Sequence, residues 1–350
     1  MTPPVLTSRA LNRSLLARQL LLDRSSLSIA AALERVGGLQ TQYAPSAYVA
    51  LWSRLDGFGR DQLTRALVSR RAIQGTLMRG TIHIVSAADY RLFAAGVRRA
   101  RSEWWLRAGG VHRLDLVDYE RAAVVLRSEL GAGPRSRADL LSALDAAGIP
   151  KETWEGAGMF LDMVRVPPSG TWDRRRADIF GLAEQWVGLQ EVSEAEGLAH
   201  LCRRYLRGFG PATVGDISSW AGVPISILRP TVDSMALRRF RSGEDDDLVD
   251  LPRSPLPDPD RTAPVRFLPT WDATLLVHAR RSQILPEHYR SLVFHTKNPQ
   301  SVATFLVDGQ VAGTWRHQGG RILLEPFDPI PRTAKRELEE EAVGLAALHQ

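Results

Sequence analysis

The sequence predicts an α+β protein in which three tandem helix-then-hairpin units, the order of a winged helix, precede a small antiparallel β-barrel or sheet. Three observations carry that expectation. Apolar residues at helical spacing, followed by a short alternating run and a turn, recur in three successive rounds. A stretch with five prolines, Leu251–Pro264, then reads as a linker. Beyond it the pattern becomes β, with Asp308-Gly309 between two runs as a hairpin signal. The expected bounds are 1–115, 116–188 and 189–252 for the winged helices. The β region with a closing helix takes 253–350, and 350 residues suffice for several cores.

In the first unit Leu11 and Leu15 mark a helix, and Ser26 or Ser28 can cap a second that contains Ile29, Leu33 and Val36. Gly37-Gly38 stop that helix, because glycine takes the left-handed cap conformation at little cost. Pro45 opens a third helix, with Tyr48, Leu51, Trp52 and Leu55 on one face, and Leu63, Ala66 and Leu67 mark a fourth. Gly75–Val85 then alternates around a glycine turn. Its second strand sends Ile82 and Ile84 to the core and Arg79, Thr81 and His83 to the opposite side, toward nucleic acid or toward solvent.

The second round has helices at Asp118–Leu130, Arg137–Ala146 (capped by Ser136) and Trp154–Val164. A strand follows over Val164–Trp172, then a basic return strand with Arg174, Arg175 and Arg176. In the third, Glu194–Leu206 is helical, Thr213 and Asp216 form a capping box, and Pro224–Ser234 is a recognition-type helix interrupted by Pro230. Its wing pairs Leu237–Phe240 with Leu248–Leu251, and the acidic tip Glu244–Asp247 argues against phosphate contact. The β region has runs at Val265–Leu268, Thr274–Val277, Leu292–Phe294, Thr304–Val307, Gln310–Trp315 and Arg321–Leu324, closed by an amphipathic helix over Thr333–Leu348.

Between Gly38 and Pro45 the chain reads Leu39-Gln40-Thr41-Gln42-Tyr43-Ala44. In an extended piece Gln40 and Gln42 project the same way, so two neutral amides share one space. Such a pair can hold a water molecule or a ligand's polar edge, or it can cap the flanking helices. The net charge of +6 rests almost wholly on arginine; the lysines are Lys151, Lys297 and Lys335. That suits a polyanionic partner, and equally reflects the codon usage of a GC-rich genome. Cys202 is the only cysteine, which excludes a disulfide framework and a four-cysteine cluster. The eight histidines show no metal-ligand spacing, so neither metal nor cofactor is expected. No apolar run reaches membrane-spanning length, and Met1-Thr2-Pro3-Pro4 lacks signal-peptide regions, so the expected place is the cytoplasm.

Several of these stretches occur together in one family. Gly38-Leu39-Gln40-Thr41-Gln42, Met78-Arg79-Gly80-Thr81-Ile82-His83, Val164–Trp172 with its three arginines, Leu268-Pro269-Thr270-Trp271-Asp272 and Asp308–Arg316 resemble the AlkZ/YcaQ family of DNA glycosylases over about residues 8–340. The resemblance implies three tandem winged helices with a β-barrel, and a substrate of duplex DNA carrying N7-alkylguanine or interstrand crosslinks. It also implies Gln-x-Gln as the catalytic motif, as in the AlkZ branch that unhooks azinomycin crosslinks for self-resistance; the YcaQ branch has Gln-x-Asp. Gln40 and Gln42 become the catalytic candidates. Tyr43, Arg79, Thr81, His83, Arg174, Arg175, Arg176, Trp315 and Arg316 become candidates for DNA contact. Each has a plainer reading: Tyr43 and Trp315 pack, and the arginines form a solvated face.

An amide is no general base near neutral pH, but an N7-alkylguanine is already a cationic leaving group. Placing water and stabilising a cationic sugar then suffices. No lysine lies near Gln-x-Gln in sequence, which favours hydrolysis without lyase chemistry. A monomer is expected. The rival from another class is a winged-helix regulator that reads duplex sequence without catalysis. A second rival, the Leu206-Arg207-Gly208-Phe209-Gly210 likeness to a helix-hairpin-helix glycosylase, lacks a nearby lysine and reads as the link into the third unit.

Overall fold

In this computed structural model, which describes residues 3–108, 114–188, 191–276, 282–295 and 298–350, helices and short sheets alternate as a mixed α/β fold. Ser28 caps the Ile29–Val36 helix by accepting from the Ala31 amide. Gly37 ends it at φ 79°, and Gly38 follows at φ 82°. A Cβ on Gly38 would lie 2.7 Å from Val85 Cγ1, so glycine is required there for space as well as for conformation. The chain then forms the two-residue strand Leu39–Gln40 and enters the Ala44–Arg54 helix with Pro45 in its first turn.

The first two rounds of strands merge into one six-stranded sheet. Its order is Leu39–Gln40, Ile82–Ser86, Ala72–Thr76, Met163–Arg165, Ile179–Leu182, Arg135–Ser136. Gln40 pairs with His83, His83 with Gly75, Gly75 with Val164, and Val164 with Gly181, one row across five strands. A Cβ on Gly75 would lie 2.6 Å from the Tyr90 ring, which presses on the sheet from the Ala87–Ala108 helix. That long helix was not expected, although Tyr90, Phe93, Ala94 and Val97 follow the i, i+3, i+4, i+7 rule and are buried. It crosses the Glu194–Phe209 helix at Gly96 and Gly197, so close that a Cβ on Gly197 would lie 2.4 Å from the Gly96 nitrogen.

Other expectations need correction. The helix expected over Trp154–Val164 stops at Phe160, and the strand begins at Met163. Arg174–Arg176 lie in the loop before the Ile179–Leu182 strand, not on a return strand. Of the strand expected over Thr274–Val277, residues 274–276 lie in the helix Ala273–Leu276, and Val277 lies outside the described residues. Arg290–Val293 is likewise helical, with the strand starting only at Phe294. Of the barrel or sheet, the described strands make an open four-stranded sheet ordered Arg266–Leu268, Thr304–Val307, Gln310–Gln318, Arg321–Pro326. The Asp308-Gly309 turn is present, both residues at positive φ. The Arg332–His349 helix packs on this sheet and on the Ala44–Arg54 helix. Val5–Leu6 adds an unexpected parallel strand beside Arg238–Ser242. Among the described residues no helix is long and apolar enough to cross a membrane.

Five arginines are buried among the described residues, Arg13, Arg18, Arg54, Arg101 and Arg266, and three of them show what such burial does. Arg54, fully buried, grips Asp272 with bonds of 3.0 and 2.9 Å. Arg18 does the same to Asp250 at 2.7 and 2.8 Å. Arg13 holds Asp308 at 2.5 Å and ties the first helix to the hairpin turn. Each pair sets one arginine against one carboxylate, so the net charge of +6 lies outside these pairs, and removing one partner of the fully buried Arg54–Asp272 or Arg18–Asp250 pair costs about 3–5 kcal/mol.

Candidate active site

The Gln40–Tyr43 segment is fixed from both sides. Upstream, Gln40 ends a strand held in register by His83, and the Thr41 amide donates to the Ile82 carbonyl at 2.8 Å. Downstream, the Ala44–Arg54 helix is tied to residues 267–272 three times. Ser46 and Thr270 hydroxyls meet at 2.8 Å, Ser53 Oγ donates to the Phe267 carbonyl, and Arg54 grips Asp272. The Leu268–Asp272 motif therefore acts as the anchor of the helix that follows the glutamines.

The two amides do not share one environment. Gln40 is 6% exposed, and Arg79 Nη2 donates to its Oε1 at 2.5 Å. The chain bends after Thr41, and Gln42 is exposed. The two amides expected to act side by side therefore differ in burial, Gln40 inside and Gln42 at the surface.

Arg79, Thr81 and His83 do not form an open polar row. Only His83 lies on the Ile82–Ser86 strand, which runs between two others with residues 83–86 all buried; Arg79 and Thr81 lie in the turn before it. Arg79 is half-buried, with Nη1 donating to the Trp220 carbonyl and Nη2 to Gln40. Burial pushes its pKa down to about 10. Thr81 Oγ1 donates to the Met78 carbonyl at 3.0 Å. His83 is 2% exposed; burial first, then the Arg79 charge, push it down to about 3. The ring is neutral at neutral pH, and its Nδ1–H donates to the Thr81 carbonyl at 3.1 Å. Neither titratable group set against Gln40 changes charge near neutrality.

The other candidates gather on the open side. Tyr43 is 45% exposed, and Arg175 Nη1 donates to its hydroxyl at 2.8 Å while the guanidinium lies 5.7 Å from its ring centre. Both line a cavity of about 510 Å³ together with Ser46, Trp315, Arg316 and His317. Sequence spacing could not show this, since these residues come from three separate stretches. Trp315 reaches the cavity as a core residue, 9% exposed, with Nε1 donating to the Leu268 carbonyl at 2.9 Å. Arg316 is exposed and pairs with Glu325 at 3.0 Å. Arg174 and Arg176 are exposed nearby in sequence, Arg174 pairing with Asp178 at 3.1 Å.

Two lining residues were missed: His317 stacks on His349 at 4.2 Å, with 11° between planes. Burial, then His317, Arg175 and Arg60, push His349 down to about 4. No motif marked this pair, because its members sit on different elements. Of the lysines, Lys151 pairs with Asp145 at 3.3 Å, Lys335 is exposed on the last helix, and Lys297 lies outside the described residues.

A family model for DNA glycosylase AlkZ-like proteins matches residues 33–348, which span both glutamines and every cavity residue named above except His349. The chain belongs to the DNA glycosylase AlkZ-like family. A relative from Streptomyces sahachiroi, described as an interstrand DNA cross-link repair glycosylase, is 23% identical over 94% of this chain and 93% of its own length. The solved structure of the Streptomyces sahachiroi DNA glycosylase AlkZ superposes with a TM-score of 0.81, covering 98% of this chain and 97% of that one at 18% identity. At that identity the likeness establishes a shared fold, and the chemistry of this AlkZ-like chain is argued from its own residues.

Proposed function

We propose that this AlkZ-like chain is a monofunctional DNA glycosylase that hydrolyses the N-glycosidic bond of N7-alkylated guanines in duplex DNA and unhooks interstrand crosslinks made through them. The observation that carries the reading is one segment with an arginine-held amide at Gln40 and an exposed amide at Gln42, ending at an arginine-rimmed cavity. The relative's description as a cross-link repair glycosylase supports the crosslink substrate. The open cavity supports it as well, because a base tied to both strands cannot be fully flipped into a closed pocket.

The chemistry needs little acid or base. The alkylated base is cationic, so the C1′–N9 electron pair leaves with it and yields a neutral base. Water then bonds to C1′ of the cationic sugar, and the excess proton passes to solvent at the exposed Gln42. Gln40 and Gln42 position the water and stabilise the sugar's charge. Tyr43, Arg174, Arg175, Arg176 and Arg316 form the DNA-facing set, with phosphate contacts supplying affinity. The chain is read as three winged helices over 1–115, 116–188 and 189–252 that act as a monomer in the cytoplasm; the sheet shared by the first two rounds of strands supports treating their wings as fused.

The test is mass spectrometry of bases released from duplexes carrying N7-methylguanine or a guanine-N7 interstrand crosslink, without metal or cofactor. Free N7-methylguanine and an alkali-labile abasic site are expected. Duplex binding without base release would favour a regulator. A borohydride-trapped protein–DNA adduct would replace hydrolysis with lyase chemistry.

A further inference from the structure

Arg79 is placed unlike a DNA-binding arginine. Its backbone sits at φ 54° in the hairpin turn, and Gly222 packs on it so tightly that a Cβ there would lie 2.8 Å from both Arg79 N and Cα. Its two terminal nitrogens are committed to the Trp220 carbonyl and to Gln40 Oε1. A guanidinium offers only donors, so the Gln40 atom facing it must be the oxygen, and the amide NH2 points away from it. A cation on that oxygen also draws electron density from the amide, which weakens the oxygen as an acceptor and strengthens the N–H donors.

We infer that Arg79 is a positioning residue that locks the Gln40 amide with its oxygen inward, dividing the labour between the glutamines. On the proposed function, Gln40 then supplies a fixed N–H donor to the attacking water, and exposed Gln42 supplies the oxygen that accepts the water's hydrogen. The arrangement also couples the third unit to the reaction: the Trp220 carbonyl and Gly222, near the end of the Val214–Ala221 helix, fix Arg79 from behind.

The experiment is a double-substitution cycle on single-turnover release of N7-methylguanine from duplex DNA, with duplex affinity measured across salt concentrations. Arg79→Ala should slow excision by about ten- to a hundredfold with unchanged affinity and salt slope. In a Gln40→Ala background the same change should cost less than about twofold, because its target is gone. Multiplying effects, or a salt slope lowered by about one as for a phosphate contact, would overturn the inference. Should Arg79→Ala fail to melt cooperatively, Arg79→Lys takes its place, since lysine cannot span both acceptors as a planar fork does. Gln40→Glu keeps the pairing with Arg79 and removes the NH2, so it should be as slow as Gln40→Ala; excision at the parent rate would sink the donor role. If Gln40→Ala itself excises like the parent, the proposed function loses Gln40, and the inference goes with it. A slow Gln40→Ala beside parent-like Arg79 variants defeats the inference alone.

Discussion

The two ends of the Gln40–Tyr43 segment face opposite conditions within four residues. At one end Gln40 is sealed in the row that His83 and Gly75 share, with its oxygen held by a buried arginine. At the other, Gln42 and Tyr43 are exposed beside a cavity edged by Arg175 and Arg316. The sealed end trades adaptability for a fixed direction, which suits a group that must aim at one atom. The open end keeps the access that a bulky lesion needs. The difference teaches that a motif of two identical residues need not hold two identical roles, because the side chain's partner decides which of its atoms faces outward.

The comparison can be broken most severely through its anchor. Asp272→Ala leaves Arg54 buried without its carboxylate and should destabilise the protein by about 3–5 kcal/mol in chemical denaturation. It should also loosen the helix that carries the open end. A loss under about 1 kcal/mol would mean the Arg54–Asp272 pair does not hold that helix.

A smaller effect sharpens the open end. Replacing Arg174, Arg175 and Arg176 with alanine should flatten the dependence of log affinity on log salt by about two rather than three, because Arg174 already pairs with Asp178. An unchanged slope would take this loop out of the DNA interface.

The smallest expected effect tests the sealed end. His83 at about 3 and Arg79 at about 10 keep their charge states between pH 5 and 9, so the excision rate should be flat there. A bell-shaped profile with a limb near neutrality would require a general acid or base other than the two groups set against Gln40. Stability carries a distinct acid signature. Below about pH 6.5 the unfolded chain takes up protons that folded His83 and His349 refuse until about 3 and 4, so stability should fall as pH drops through that window.

Much of the fold was legible where local rules act alone. Ser28, Ser136 and Thr213 cap helices where their spacing says they should, and Asp308-Gly309 makes its hairpin turn. What failed was whatever depended on a partner far along the chain. His83 looked outward because alternation gives one face to solvent, whereas the fold buries Ile84, Val85 and Ser86 along with it, so neither face of that strand is free. Arg79 read as a phosphate contact because an arginine in a hairpin turn is usually free, and nothing local announces the Trp220 carbonyl. Thr274–Val277 read as β from its pattern, yet Asp272 caps the short helix Ala273–Leu276 by accepting from the Thr274 amide and hydroxyl. Both glutamines were picked out from the motif itself; their inequality was not, since it rests on the burial of Gln40 against Arg79, 39 residues away.

The most direct measurement is single-turnover excision of N7-methylguanine by Gln42→Leu, with duplex affinity measured alongside and Gln42→Asp as the companion. Leucine keeps the bulk and removes both polar atoms. It should slow excision by about ten- to a thousandfold, or about 1.4 to 4 kcal/mol of transition-state stabilisation, and leave affinity nearly unchanged. Aspartate retains an oxygen acceptor for the water and should stay active. A Gln42→Leu protein that excises as fast as the parent would contradict the account, leaving Gln42 a surface residue and the amide pair without a role in hydrolysis.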